Sequence, residues 1–124
     1  MLFDKKKKSV IMVMHYEGIP SFPTDYPCRL EIKEDQLVIT RIKPKTVVTL
    51  PMDRIYSFTA MEEKRFMQEY HGYSAITSKS GIKKYYLVIK YDKGTLAFWG
   101  TGTDYGAFMK LQNTRFNSSA NVEL

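Results

Sequence analysis

The chain has 124 residues, which is room for one core and not for two. With 44% hydrophobic and 26% charged residues, seven glycines and five prolines, it is a globular sequence and neither a disordered nor a fibrous one. The net charge of +6 is partly local, because Lys5, Lys6, Lys7 and Lys8 stand together near the N-terminus, while elsewhere basic and acidic residues interleave as in Lys33, Glu34 and Asp35.

In chain order, residues 1–9 read as a basic tail, 10–116 as a single domain and 117–124 as a flexible tail. The apolar run at 10–14 is far shorter than the roughly 20 residues of a membrane-spanning helix. It is followed by His15, Tyr16 and Glu17, not by the small residues of a leader cleavage site. A cytoplasmic protein is expected, and the single cysteine, Cys28, agrees with a reducing compartment. Residues 10–17 read as a strand. Residues 18–27 hold Pro20, Pro23 and Pro27, which cannot feed a strand ladder, so they read as a long ordered loop. From Cys28, Leu30 and Ile32 alternate with Arg29, Glu31 and Lys33, Glu34 and Asp35 turn the chain, and 36–42 return as the partner of a hairpin. After Lys43, Pro44 and Lys45, residues 46–50 form a strand that Pro51 stops, and a polar corner leads into a strand over 55–61.

Residues 62–70 fit either an extension of that strand or a short helix with Phe66 and Tyr70 four apart, and the extended form ending near Gly72 is preferred. Residues 83–91 are a strand with Tyr85, Leu87, Ile89 and Tyr91 on one face and Tyr86, Val88 and Lys90 on the other. Asp92, Lys93 and Gly94 turn it into a partner over 95–99. Thr103 is placed to cap a helix over 104–116, on which Tyr105, Phe108, Met109, Gln112 and Phe116 share a face with Leu111 beside it. The fold class is mainly β (α+β), a bent seven-stranded antiparallel barrel or sheet capped by one C-terminal helix. That helix is the one element available to cover the sheet's open end or edge.

The hairpin at 30–42, the corner Thr49-Leu50-Pro51-Met52-Asp53-Arg54-Ile55, and the hairpin at 86–98 followed by a helix together resemble bacterial pleckstrin-homology-like domains, close in plan to GRAM domains. The resemblance spans about residues 28–116 and implies a bent barrel plugged by the C-terminal helix, with Leu87, Ile89, Phe98 or Trp99, Phe108 and Met109 in the core. Two departures bear on function. Domains of this kind that bind phosphoinositides carry Lys and Arg around the first hairpin loop, whereas residues 18–28 have none and include Asp25. The tryptophan often found in the C-terminal helix is missing, since Trp99 precedes it.

Residues able to carry chemistry are few. His15 and Glu17, two apart on a strand, share a face and read as a surface pair more readily than as metal ligands. His71 sits at a strand end and Cys28 reads as a small buried residue. Gly100-Thr101-Gly102-Thr103 before a helix suggests an anion site but lacks the phosphate-loop lysine, and a turn and cap is preferred. No cofactor, metal or catalytic residue is expected. Residues 18–27 interleave Ile19, Phe22 and Tyr26 with prolines, as a stiff binding loop does and as a lid over a barrel end does. The tyrosines and phenylalanines exceed what one small core hides, so some are expected at the surface. A noncatalytic module is therefore expected, binding a protein or peptide partner or itself through a sheet edge or through Ile19, Phe22 and Tyr26. The alternative is an anionic membrane or nucleic acid bound through Lys5, Lys6, Lys7, Lys8, Lys79, Lys83 and Lys84.

Overall fold

Period-two alternation produces the strands, and a computed structural model that describes residues 10–72 and 83–120, with side chains through residue 113, shows how they join. In order they are β1 (Ile11–Glu17), β2 (Tyr26–Lys33), β3 (Gln36–Arg41), β4 (Thr46–Pro51), a 3-10 turn at Met52–Arg54, β5 (Ile55–Glu62), helix α1 (Glu63–His71), β6 (Tyr85–Tyr91), β7 (Gly94–Gly100) and helix α2 (Gly102–Ala120). All seven strands lie in one antiparallel sheet ordered β4-β3-β2-β1-β7-β6-β5, so two meanders meet where β1 pairs β7. The outermost strands, β4 and β5, are not joined to each other, and the sheet is open.

One face of every strand feeds a single core, with Val13, Leu30, Ile39, Leu50, Phe58, Ile89 and Phe98 among its buried members and Phe108 of α2 closing it. A sheet whose seven strands share one cluster on one face is curled around it. The first strands alternate as the sequence dictates, but β6 is buried on both sides from Tyr86 to Ile89. The reason is α1. Past Glu62 the strand does not continue: residues 63–71 turn into a helix that lays Phe66 and Met67 on the outer face of β5, β6 and β7. A strand would send these adjacent residues to opposite faces, whereas a helix carries both to the sheet. Phe66 stacks on Tyr86 with centroids 4.2 Å apart and on Tyr70 at 5.3 Å. Gly72, at φ 73°, ends the helix in the left-handed conformation and donates its N–H to the Met67 carbonyl.

This second cluster also absorbs the aromatic surplus. Tyr16, Tyr70, Tyr86 and Trp99 pack in or against it, and among the described residues Tyr56, 65% exposed, is the one aromatic ring that is strongly exposed. Helix α2 starts two residues before the expected 104 and runs past 116 to Ala120, as helix propagation beyond a nucleated turn allows. Its N-cap position is Thr101 rather than Thr103, and the carboxylate of Asp104, the third helical residue, reaches back to accept the Thr101 N–H at 2.9 Å. Gln112 reaches the sheet edge and accepts the Ala60 N–H at 2.8 Å, so α2 covers β5 and leaves β4 uncovered.

The chain enters the loop after β1 at Gly18, whose φ of 116° and close neighbours leave no room for a side chain. A Cβ there would lie 2.6 Å from the Thr95 carbonyl oxygen and 2.8 Å from the Leu96 Cα. Gly94, at φ 148°, has nothing near its Cβ position. Gly18→Ala should therefore cost about 2 kcal/mol or more of unfolding free energy and Gly94→Ala clearly less, measured by urea denaturation of both variants.

Candidate functional site

The candidate residues of the loop between β1 and β2 are held from below by His15. Its side chain is buried on the inner face of β1, edge-on to Phe22 at 5.4 Å and to Phe98 at 5.7 Å. The Ile19 N–H donates to Nε2 at 3.2 Å, so Nδ1 carries the ring proton and donates to the Pro23 carbonyl at 3.0 Å. The His15 carbonyl accepts the Asp25 N–H at 2.6 Å, and the Asp25 carboxylate accepts the Trp99 Nε1–H at 2.8 Å. Burial of the ring pushes its pKa below the ordinary 6.5, with the Pro23 hydrogen bond and the Glu17 charge opposing more weakly.

The expected surface pair of His15 and Glu17 does not form. The β1–β7 register slips between these residues, a bulge that sets both Tyr16 and Glu17 toward α1 while His15 faces the core. Glu17 instead meets His71 at the end of α1, Oε2 to Nε2 3.0 Å. Cys28 is fully buried, its thiol pushed up to about 12 by desolvation, and it is inert as a nucleophile. Where an anion would sit at the start of α2, the Asp104 carboxylate already lies. Among the described residues no group of three or more His, Cys, Asp and Glu could hold a metal ion, and no helix is long and apolar enough to cross a membrane.

Ile19 and Phe22 are buried members of the main core, which corrects the expectation that they offer apolar area to a partner. Residues 18–25 are a lid, because the rings that make such a loop attractive to a partner are equally able to cover the sheet's own open end. Tyr26 is half-buried, and its hydroxyl donates to the Lys43 carbonyl in the turn between β3 and β4. Arg41 joins the same two loops: it lies over the Phe22 ring at 5.4 Å and donates to the carbonyls of Ser21 (2.6 Å) and Pro44 (3.1 Å) and to Thr46 Oγ1 (2.6 Å). Of the lysines expected to meet anions, Lys5, Lys6, Lys7, Lys8 and Lys79 lie outside the described residues. Lys83 is exposed, and Lys84 sits over the Trp99 ring at 4.4 Å.

Among the described residues two depressions and one edge stand out. A groove of about 330 Å³ crosses Met12, Met14, Pro27 and Trp99 and ends at Asp104. A second, of about 240 Å³, lies on the inner side of β4 between Val48, Leu50, Pro20 and Tyr91, with Arg54 and Lys93 at its rim. Arg54 is engaged by Asp92 at 2.9 Å, which holds that carboxyl below its usual range. The edge is β4 itself. The two-residue turn between β2 and β3 makes Lys33 and Gln36 a hydrogen-bonded pair. The unbroken register then directs the backbone groups of Thr46, Val48 and Leu50 toward β3 and those of Val47 and Thr49 outward. The same parity on β5 puts the Ala60 N–H outward, where Gln112 takes it. Val47 is 50% exposed and Thr49 is exposed. The uncharged run Thr46-Val-Val-Thr-Leu-Pro51, ending in a proline whose missing N–H would face outward and so costs no ladder bond, is the signal in the sequence for this feature. Comparison with family models, with curated proteins and with solved structures finds no match to this chain.

Because the His15 ring is neutral in the fold and its folded pKa lies below the unfolded one, its stabilisation is complete above about 6.5 and is lost as pH falls from there toward the folded value. Urea midpoints should drop between pH about 7.5 and about 5.5. His71→Gln should retain the drop. His15→Leu should remove it while lowering stability at neutral pH by about 2 kcal/mol or more, since the Ile19 N–H and the Pro23 carbonyl lose their partner.

Proposed function

We propose that the chain is a noncatalytic, cytoplasmic interaction module of the bacterial pleckstrin-homology-like kind, and that it binds protein by strand addition at β4. The resemblance of its hairpins and corner to that family suggests the kind, and the curled open sheet with a helix along one edge is compatible with it. The observation that carries the proposal is the asymmetry of the two edges. On β5, Ala60 gives its outward N–H to Gln112, whereas β4 presents Val47 and Thr49 with no strand or helix beside them among the described residues. Main-chain hydrogen bonds along such an edge supply affinity, and alternate side chains supply selectivity. The burial of Ile19 and Phe22 favours the edge over the loop as the contact surface. The engagement of Lys84 with Trp99 leaves Lys83 as the accessible member of the described lysine cluster, which gives the anionic-surface alternative less support.

Thr49→Pro removes one outward N–H at an edge position and touches no bond to β3. Affinity purification from the native cell, with folding of each variant checked by circular dichroism, should recover specific proteins with the wild type. Recovery should fall about tenfold or more with Thr49→Pro, the loss expected from one or two ladder hydrogen bonds, and remain unchanged with Lys83→Glu. Unchanged recovery with Thr49→Pro would contradict the edge, and loss with Lys83→Glu would favour an anionic surface.

A further inference from the structure

We infer that the occupant of the β4 edge is a second copy of this chain, added antiparallel about a two-fold axis at Val48; this rests on β4 being the binding edge and names its partner. The inference comes from the polarity of the edge. At one end, the turn between β3 and β4 exposes Lys43 and Lys45. At the other, the turn between β2 and β3 exposes Glu34 and Asp35, and the 3-10 turn after β4 exposes Asp53. These two turns are tied together by the Met52 N–H donating to the Asp35 carbonyl at 2.8 Å. Arg54, beside Asp53, is paired with Asp92, Lys33 stands two strands in from the edge, and the exposed Lys93 at the rim of the inner depression offsets one of the three carboxylates Glu34, Asp35 and Asp53. The edge is thus basic at its start and acidic at its end. Two copies side by side in parallel would set like charge against like, whereas an antiparallel pair sets each basic turn against the acidic end of its mate.

The backbone selects the register. Val47 and Thr49 carry the outward groups, and an axis at Val48 places Val47 opposite Thr49 of the second copy as a hydrogen-bonded pair, and the reverse, for about four new ladder bonds. The same axis carries the turn with Lys43 and Lys45 to the end of the second copy's β4, beside its 3-10 turn, which bears Asp53. Val47, half exposed in the single chain, gains cover on the outer face. Val48 meets its symmetry mate on the inner face, beside the smaller depression. The turn that delivers the lysines is fixed in advance by Arg41 and Tyr26, so little ordering entropy opposes the contact. A pair of six-residue strands falls at or below about 1,200 Å² of buried surface, which makes the dimer weak, reversible and sensitive to salt.

Sedimentation velocity of the full chain from about 1 to about 500 µM should show a monomer–dimer equilibrium that weakens several-fold between about 0.05 and about 0.5 M salt. Thr49→Pro should abolish it. Lys43→Glu with Lys45→Glu should weaken it about tenfold or more, and mixing that variant with one carrying Glu34→Lys, Asp35→Lys and Asp53→Lys should restore a mixed dimer. Register is read separately: Val48→Cys should form an interchain disulfide on mild oxidation and Val47→Cys should not, with Cys28 too buried to compete. A monomer at every concentration overturns the inference, and so does a dimer untouched by Thr49→Pro or cross-linked through position 47 and not 48. If the chain is monomeric while Thr49→Pro still loses a different protein, the second copy is wrong and the edge stands; if Thr49→Pro loses nothing, both fall.

Discussion

A single uncharged imidazole sets the geometry on which the loops at the open end of the sheet depend. His15 is buried where a charge would be costly, so it stays neutral, and a neutral ring has one donor and one acceptor. Those two atoms take the Pro23 carbonyl and the Ile19 N–H, which fixes residues 19–23 across the mouth of the core. With the lid in place, Phe22 is packed under Arg41, and Arg41 in turn holds Ser21, Pro44 and Thr46. The exposed turn at Lys43 is thereby connected, through one side chain and one loop, to a histidine in the core.

A one-residue irregularity in β1 organises the other face. With perfect alternation Glu17 would follow His15 inward, and a carboxylate would sit at the mouth of an apolar core. The bulge turns Tyr16 and Glu17 together toward α1, where the Tyr16 ring meets Phe66 and Tyr86 edge-on at 5.6 and 5.4 Å and Glu17 meets His71. The small sheet therefore supports two apolar clusters, one inside its curl and one under α1. Burial on both faces explains why β6 and β7 carry continuous buried runs at 86–89 and 96–98 instead of alternating.

Much of this is legible in the sequence because it is local. The hairpins follow from alternation at Leu30 and Ile32 and at Leu87 and Ile89, with turns at Glu34-Asp35 and Asp92-Lys93, and the amphipathic face of α2 places Phe108 in the core. What is not legible depends on tertiary context. Phe66 and Tyr70 fit a helix by spacing and a strand by parity, and only the aromatic floor at Tyr86 decides between them. A bulge has no mark in the letters His15-Tyr16-Glu17, so parity alone sets the first and third on one face, and the fold separates them. Ile19 and Phe22 suit a partner or the chain's own core by the same chemistry. Where the core is short of cover, it takes them.

The two edges of the sheet are resolved differently by the same parity rule. The β5 edge is answered from within the chain by Gln112, and the β4 edge is flanked by turns of opposite charge and answered by nothing in the described chain. Because the basic turn is braced through Arg41 to the lid and through the lid to His15, the state of that ring is the most direct measure of whether the lid is fixed to the core. Nitrogen-15 NMR of the imidazole near neutral pH reads it: a neutral ring protonated on Nδ1, the less common tautomer, is the expected result. A ring protonated on Nε2, or one carrying a full positive charge, would contradict the bracing role of His15 and with it the fixed lid.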